Sequence, residues 1–132
     1  MSTQRPTKTR QKPLTSAELE MMNILWRIGP CTIAQMLESL APGRELAYTS
    51  VSTIVRILEQ KGFVRSEKVG RGHLYSAAVP KDDYQARSLK HLVSNVFDGT
   101  PSLVVSRLLD SDALSPDDLQ QIRALLRRKA GK

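Results

Sequence analysis

The sequence predicts a mainly α-helical protein with one small β-hairpin, in which three helices and the hairpin form a first unit and a helical module follows it. Three observations predict this. Apolar residues recur at helical spacing in six segments. Thr15, Thr32, Thr100 and Ser115 stand as N-caps just ahead of four of them. A single stretch, Phe63 to Val79, reads as two strands interrupted by Gly70-Arg71-Gly72.

Residues 1–13 contain Arg5, Lys8, Arg10, Lys12, two prolines and no acid, the composition of a disordered basic arm. Such an arm is either a plain flexible tail or an extra phosphate or minor-groove contact. The first helix opens on the capping box Thr15-x-x-Glu18, with Leu14 and Leu19 as its hydrophobic staple. Leu19, Met22, Leu25 and Trp26 form its apolar stripe, and Gly29-Pro30 stops it. A second box, Thr32-x-x-Gln35, starts a short helix carrying Met36, Leu37 and Leu40, ended by Pro42-Gly43. Cys31 precedes that cap and reads as a small buried hydrophobe, the alternative being a reactive thiol whose pKa the helix N-terminus lowers.

The third helix organises the rest. Val51, Ile54, Val55 and Leu58 fall at i, i+3, i+4 and i+7, one apolar face. Gly62 is placed for a left-handed C-terminus, with Phe63 folding back on the last turn. The opposite face carries Thr49, Ser52, Thr53, Arg56 and Gln60, and has no acid until Glu59. Short hydroxyl side chains permit close approach to another surface, and an Arg fork matches phosphate or the O6/N7 edge of guanine. This face is therefore read as a recognition surface for a DNA major groove, the alternative being a merely polar outer face of an amphipathic core helix. Thr49, Ser50, Ser52, Thr53 and Arg56 would face the groove, with Tyr48 at the helix start near the backbone.

Phe63–Val69 and His73–Val79 then read as strands joined at Gly70-Arg71-Gly72. Arg71 would stand at the tip, with Lys68 and His73 close by, as phosphate contacts. Three helices followed by a basic-tipped hairpin outline a winged helix-turn-helix domain over 14–80. His73 has no second residue spaced to join it as a metal ligand.

From 81 to 132 the chain reads as three helices. The first has Leu89, Leu92, Val93, Val96 and Phe97 on one side and ends at Asp98-Gly99. The second, opened by Thr100-Pro101, carries Leu103, Val104, Val105, Leu108 and Leu109. The third, opened by Ser115-Pro116 with Asp118 at N3 and a Leu114/Leu119 staple, carries Leu119, Ile122, Leu125 and Leu126. Its acids lie in the first turn and Arg127, Arg128 and Lys129 in the last, as the helix dipole favours. So small a helical unit rarely supports itself, so it is read as a homodimerisation module. The alternative is packing on residues 14–79. The dimer would be built from Leu89, Leu92, Val93, Val96, Phe97, Leu103, Val104, Leu108, Leu119, Ile122 and Leu126, and a twofold protein would suit a palindromic DNA site.

Composition narrows the partners. The net charge is +7, and residues 1–80 hold eleven Lys and Arg against six acids, so the basic excess sits with the candidate recognition helix and an anionic partner is expected. A single cysteine excludes an internal disulfide and a cysteine zinc cluster. With no long apolar run and no apolar segment near the N-terminus, neither membrane insertion nor a secretory signal is expected, and a cytoplasmic location is. The two histidines, His73 and His91, lie in different modules, and no nucleophile and base come together. Asp110, Asp112, Asp117 and Asp118 are the one acidic concentration; the last two suit a helix first turn, and the first two a connecting loop. No enzyme, metal or cofactor is expected. Few aromatics and no stacking pair speak against RNA.

Taken together, residues 14–26 (Leu14-Thr15-Ser16-Ala17-Glu18-Leu19-Glu20-Met21-Met22-Asn23-Ile24-Leu25-Trp26), the stretch Ala47 to Phe63, Gly72-His73-Leu74-Tyr75 and Phe97-Asp98-Gly99-Thr100-Pro101-Ser102-Leu103-Val104 resemble the BlaI/MecI/CopY family of bacterial penicillinase repressors. The resemblance covers roughly residues 14–128. It implies a winged-helix homodimer that binds palindromic operators of the TACA/TGTA type and represses transcription, with contacts from the helix at 48–60 and from the wing. It also implies a membrane sensor protease system as a partner. The family's cleaved Asn-Phe pair is matched here by Ser106-Arg107, and the Cys-x-Cys pairs of copper-responsive members are missing. A reading from a different class is a winged-helix module that binds another protein without specific DNA binding.

Overall fold

The computed structural model describes residues 13–131, so the predicted basic arm lies outside the described residues but for Pro13. Helix α1 spans Ser16–Ile28, α2 Ile33–Glu38 and α3 Tyr48–Gln60; strands β1 (Val64–Val69) and β2 (Gly72–Ala77) follow, then α4 (Lys81–Val96), α5 (Pro101–Asp110) and α6 (Pro116–Ala130). The order is the one the sequence predicts.

The N-caps form as their residue types dictate. Thr15 Oγ1 accepts the Glu18 N–H at 3.2 Å, and Glu18 Oε1 accepts the Thr15 N–H at 2.9 Å. Thr32 with Gln35 and Ser115 with Asp118 repeat the reciprocal pattern. Thr100 has Pro101 at N1 but makes no side-chain cap bond. Helix α2 closes at Glu38, short of Leu40, and a long connection leads to α3.

The core gathers Met21, Met22, Ile24 and Leu25 of α1, Ile33 and Met36 of α2, and Val51, Val55 and Leu58 of α3, with Phe63, Val64 and Val79. Leu19 and Trp26, placed in the α1 stripe, are only half-buried, while Met21 and Ile24 are buried. The reason is that α1 packs on α2, α3 and β2 together, so a central helix buries more than one stripe. The Trp26 indole N–H donates to the Val79 carbonyl at 2.9 Å, which identifies the ring as structural. Its ring lies 5.7 Å from that of Tyr84, which also meets Phe63 edge-on at 6.0 Å. The Tyr84 hydroxyl accepts the Leu14 N–H at 3.0 Å, so the first turn of α4 seals the core of the winged domain.

Helix α3 ends as expected at Gly62, with φ 89°. The Gly62 N–H donates to the Glu59 carbonyl and the Phe63 N–H to that of Leu58, at 3.1 and 2.9 Å. This is a Schellman motif, and its hydrophobic contact is between Leu58 and Phe63, both fully buried. The strands are shorter than the predicted 63–69 and 73–79. They pair antiparallel from Val64↔Ala77 to Val69↔Gly72, so Gly72 belongs to β2 and the loop is Gly70-Arg71 alone. Gly70 has φ 61° and Arg71 does not have positive φ, the signs of a type II′ hairpin turn, whose twist matches that of the strands.

The described chain divides after Leu89 into two compact units, and α4 runs from the first into the second. Helix α4 stops at Asp98 and Gly99, with φ 55° and 74°. Asp110, expected in a connecting loop, is the last residue of α5 and lies 3.8 Å from Arg107, because an i,i+3 pair suits a helix end. No side chain of α5 or α6 is buried. Among the described residues, no helix is long and apolar enough to cross a membrane.

Candidate nucleic-acid interface

The apolar stripe of α3 decides what its other face can do. Val51, Val55 and Leu58 are at most 1% exposed, which locks the helix rotationally and turns the remaining residues outward. Tyr48, at N1, is 57% exposed. Thr49, Ser50, Thr53 and Arg56 are exposed, and Ser52 is half-buried at the edge of the face. Among the described residues, no acid pairs with Arg56. The one acid late in the helix, Glu59, is engaged: its carboxylate accepts the Ser66 hydroxyl of β1 at 2.6 Å. The outward face therefore presents hydroxyls and a guanidinium. Ile57, which the stripe omits, is also 38% exposed and adds an apolar spot there.

The hairpin is tied to this helix by the Schellman turn and by the Glu59–Ser66 bond. Lys68 lies directly across from His73, and Arg71 stands at the tip; all three are exposed. Strand alternation puts Lys68 and His73 on the same sheet face as Val64, Ser66, Tyr75 and Ala77. The inner end of that face is packed on the core and the outer end is basic. The His73 ring lies 6.2 Å from that of Tyr75.

Two ion pairs that span the domain were not legible in the sequence. Arg44, in the connection before α3, forms a fork on Glu20, with Nε–Oε2 2.9 Å and Nη2–Oε1 3.0 Å. Lys61, the C-cap of α3, donates from Nζ to Glu18 Oε2 at 2.8 Å. Burial by itself raises the Glu18 pKa, but the bonds from Lys61 and Thr15 outweigh it and hold the carboxyl below the ordinary glutamate value. No local pattern announces these pairs, because the partners are far apart in sequence.

Cys31 is buried and exchanges backbone hydrogen bonds with Tyr75, at 3.0 and 2.8 Å. Burial pushes its thiol pKa up, which suits a packing role rather than thiolate chemistry. Among the described residues, no group of three His, Cys, Asp or Glu could hold a metal. In the helices beyond the hairpin, Leu89, Leu92, Val96, Leu108 and Leu126 are exposed, and Val93, Phe97, Leu103, Val104, Leu119 and Ile122 are half-buried. Val105, Leu109 and Leu125 are exposed as well.

The family model described as Penicillinase repressor matches residues 14–128. A protein of Latilactobacillus sakei described as "Uncharacterized 16.5 kDa protein in ptsI 3'region" is 29% identical over 117 residues, which are 89% of this chain and 80% of that one. The methicillin resistance regulatory protein MecI of Mammaliicoccus sciuri is 25% identical over 88% of this chain and 94% of its own. A solution structure of Bacillus licheniformis BlaI, monomeric and in complex with the blaP half-operator, is 23% identical, covers 55% of this chain and 89% of that one, and superposes with a TM-score of 0.47.

Proposed function

Since the chain belongs to the penicillinase repressor family, we propose that it is a DNA-binding transcriptional repressor acting as a homodimer on palindromic operators of the TACA/TGTA type. Its named relatives are repressors and regulators rather than enzymes. The observation that carries the reading is the outward face of α3: hydroxyl-rich, with Arg56 free of any acid among the described residues, and rotationally locked by the buried stripe. In this reading Thr49, Ser50, Ser52, Thr53 and Arg56 meet the major groove, and Arg56 makes a bidentate base contact. Tyr48 lies against the backbone at the helix start, and Lys68, Arg71 and His73 hold phosphates from the wing.

The proposed domain division is a winged-helix domain over 14–80, whose core also takes in Tyr84 from the first turn of α4, and a helical dimerisation module over 81–132. The unburied helices α5 and α6 support the second part. An unpartnered apolar surface of this kind is covered at low cost by the same surface of a second chain, which also supplies the twofold axis a palindrome requires. Release through a sensor protease that cleaves an Asn-Phe bond does not suit this chain, whose matching pair is Ser106-Arg107 within α5.

The test is footprinting and gel shift on DNA upstream of the protein's own gene, across a salt series, with sedimentation of the free protein. A protected inverted repeat and a sedimenting dimer are expected. A lone protomer that binds every duplex weakly and alike would overturn the proposal in favour of a protein-interaction module.

A further inference from the structure

Burial of Val51, Val55 and Leu58 fixes which face of α3 turns outward, but the hydrophobic effect that drives it is itself non-directional. Reading bases needs tighter positioning than that. Nor does α3 fix its own start: its N-cap is Ala47, which makes no side-chain cap bond. Directional bonds arrive instead from α1. Glu20 takes the Arg44 fork at 2.9 and 3.0 Å, ahead of the N-terminus of α3. Glu18, 6% exposed and on the buried face of α1, takes Lys61 at 2.8 Å at the C-terminus of α3, and its second oxygen is bound to the Thr15 N–H. Glu18 and Glu20 are two residues apart, about 200° around the helix, so from different flanks of α1 they reach the C-cap of α3 and the connection that leads into its start.

We propose that Glu18 and Glu20 are positioning residues for DNA reading: through Lys61 and Arg44 they clamp the recognition helix at both ends, and so set sequence discrimination rather than overall DNA affinity. The proposal rests on the DNA-binding function above.

The test measures fluorescence anisotropy of the full chain with two duplexes, one carrying a TACA/TGTA inverted repeat and one of the same composition shuffled. Wild type, E20Q, E18Q and R44Q are compared at a temperature where circular dichroism reports each as folded. E20Q and R44Q are expected to lower the ratio of the two affinities about two- to fivefold, the scale of one exposed ion pair, with E20Q leaving the shuffled duplex unchanged. E18Q, at the less exposed pair, is expected to lower the ratio at least as much. If E20Q and E18Q leave the ratio at its wild-type value, the clamp is wrong. It is equally wrong if E20Q tightens both duplexes alike, for then Arg44 is a phosphate ligand that Glu20 merely masks. A wild-type protein that does not distinguish the duplexes refutes the operator-binding function itself, which separates that failure from failure of the clamp.

Discussion

Replacing Arg71 by Ala isolates the wing's part in DNA binding. Arg71 is exposed at the hairpin tip, with no acid partner among the described residues, and its φ is not positive, so Ala fits the turn without strain. The only loss expected is a phosphate contact. Each neutralised phosphate contributes a slope of about 0.9 to the fall of log K with log salt. A homodimer presents two wings, so the variant's slope should be shallower by about 1.8. Over a fourfold rise in salt, the wild-type advantage then shrinks about tenfold. Fluorescence anisotropy between low and moderate salt, on the inverted-repeat and shuffled duplexes, reads this directly. Both duplexes should lose affinity alike, because a phosphate contact carries no sequence information. An unchanged slope would refute the wing contact. A loss confined to the inverted repeat would make Arg71 a base reader instead.

Arg56→Ala should cost about 1–3 kcal/mol on the inverted repeat and much less on the shuffled duplex, by competition binding; an equal loss on both would reassign Arg56 to phosphate. Leu58→Ala empties a fully buried site shared with Phe63 and should cost about 2–5 kcal/mol of stability in chemical denaturation. A cost below about 1 kcal/mol would mean that the α3 stripe is not the keystone of the core. The Glu18 carboxyl, held below its ordinary value, contributes stability that is fully present above the unfolded pKa of about 4.3 and is lost as pH falls through the lower folded value. Denaturation across the acid range should show that loss in the wild type and a flatter profile in Glu18→Gln; identical profiles would count against the Glu18–Lys61 bond.

What local sequence could settle, it settled. Helix starts are written by a hydroxyl at the cap and a carboxylate or amide three residues on, and Thr15/Glu18, Thr32/Gln35 and Ser115/Asp118 all close as reciprocal boxes. The Gly62 termination and the outward set on α3 were likewise legible, since periodicity assigns faces without reference to the rest of the chain. Tertiary structure decided what depends on more than one element. Met21 and Ile24 are buried because α1 is covered by α2, α3 and β2 at once. Tyr84, four residues beyond the proposed 14–80 domain, joins its core because its hydroxyl reaches Leu14 and its ring meets Trp26 and Phe63. The Arg44–Glu20 and Lys61–Glu18 pairs join residues 24 and 43 positions apart, and no periodicity connects charges across such distances. Short-range rules specify where helices begin, end and face; only the folded chain determines which charges meet.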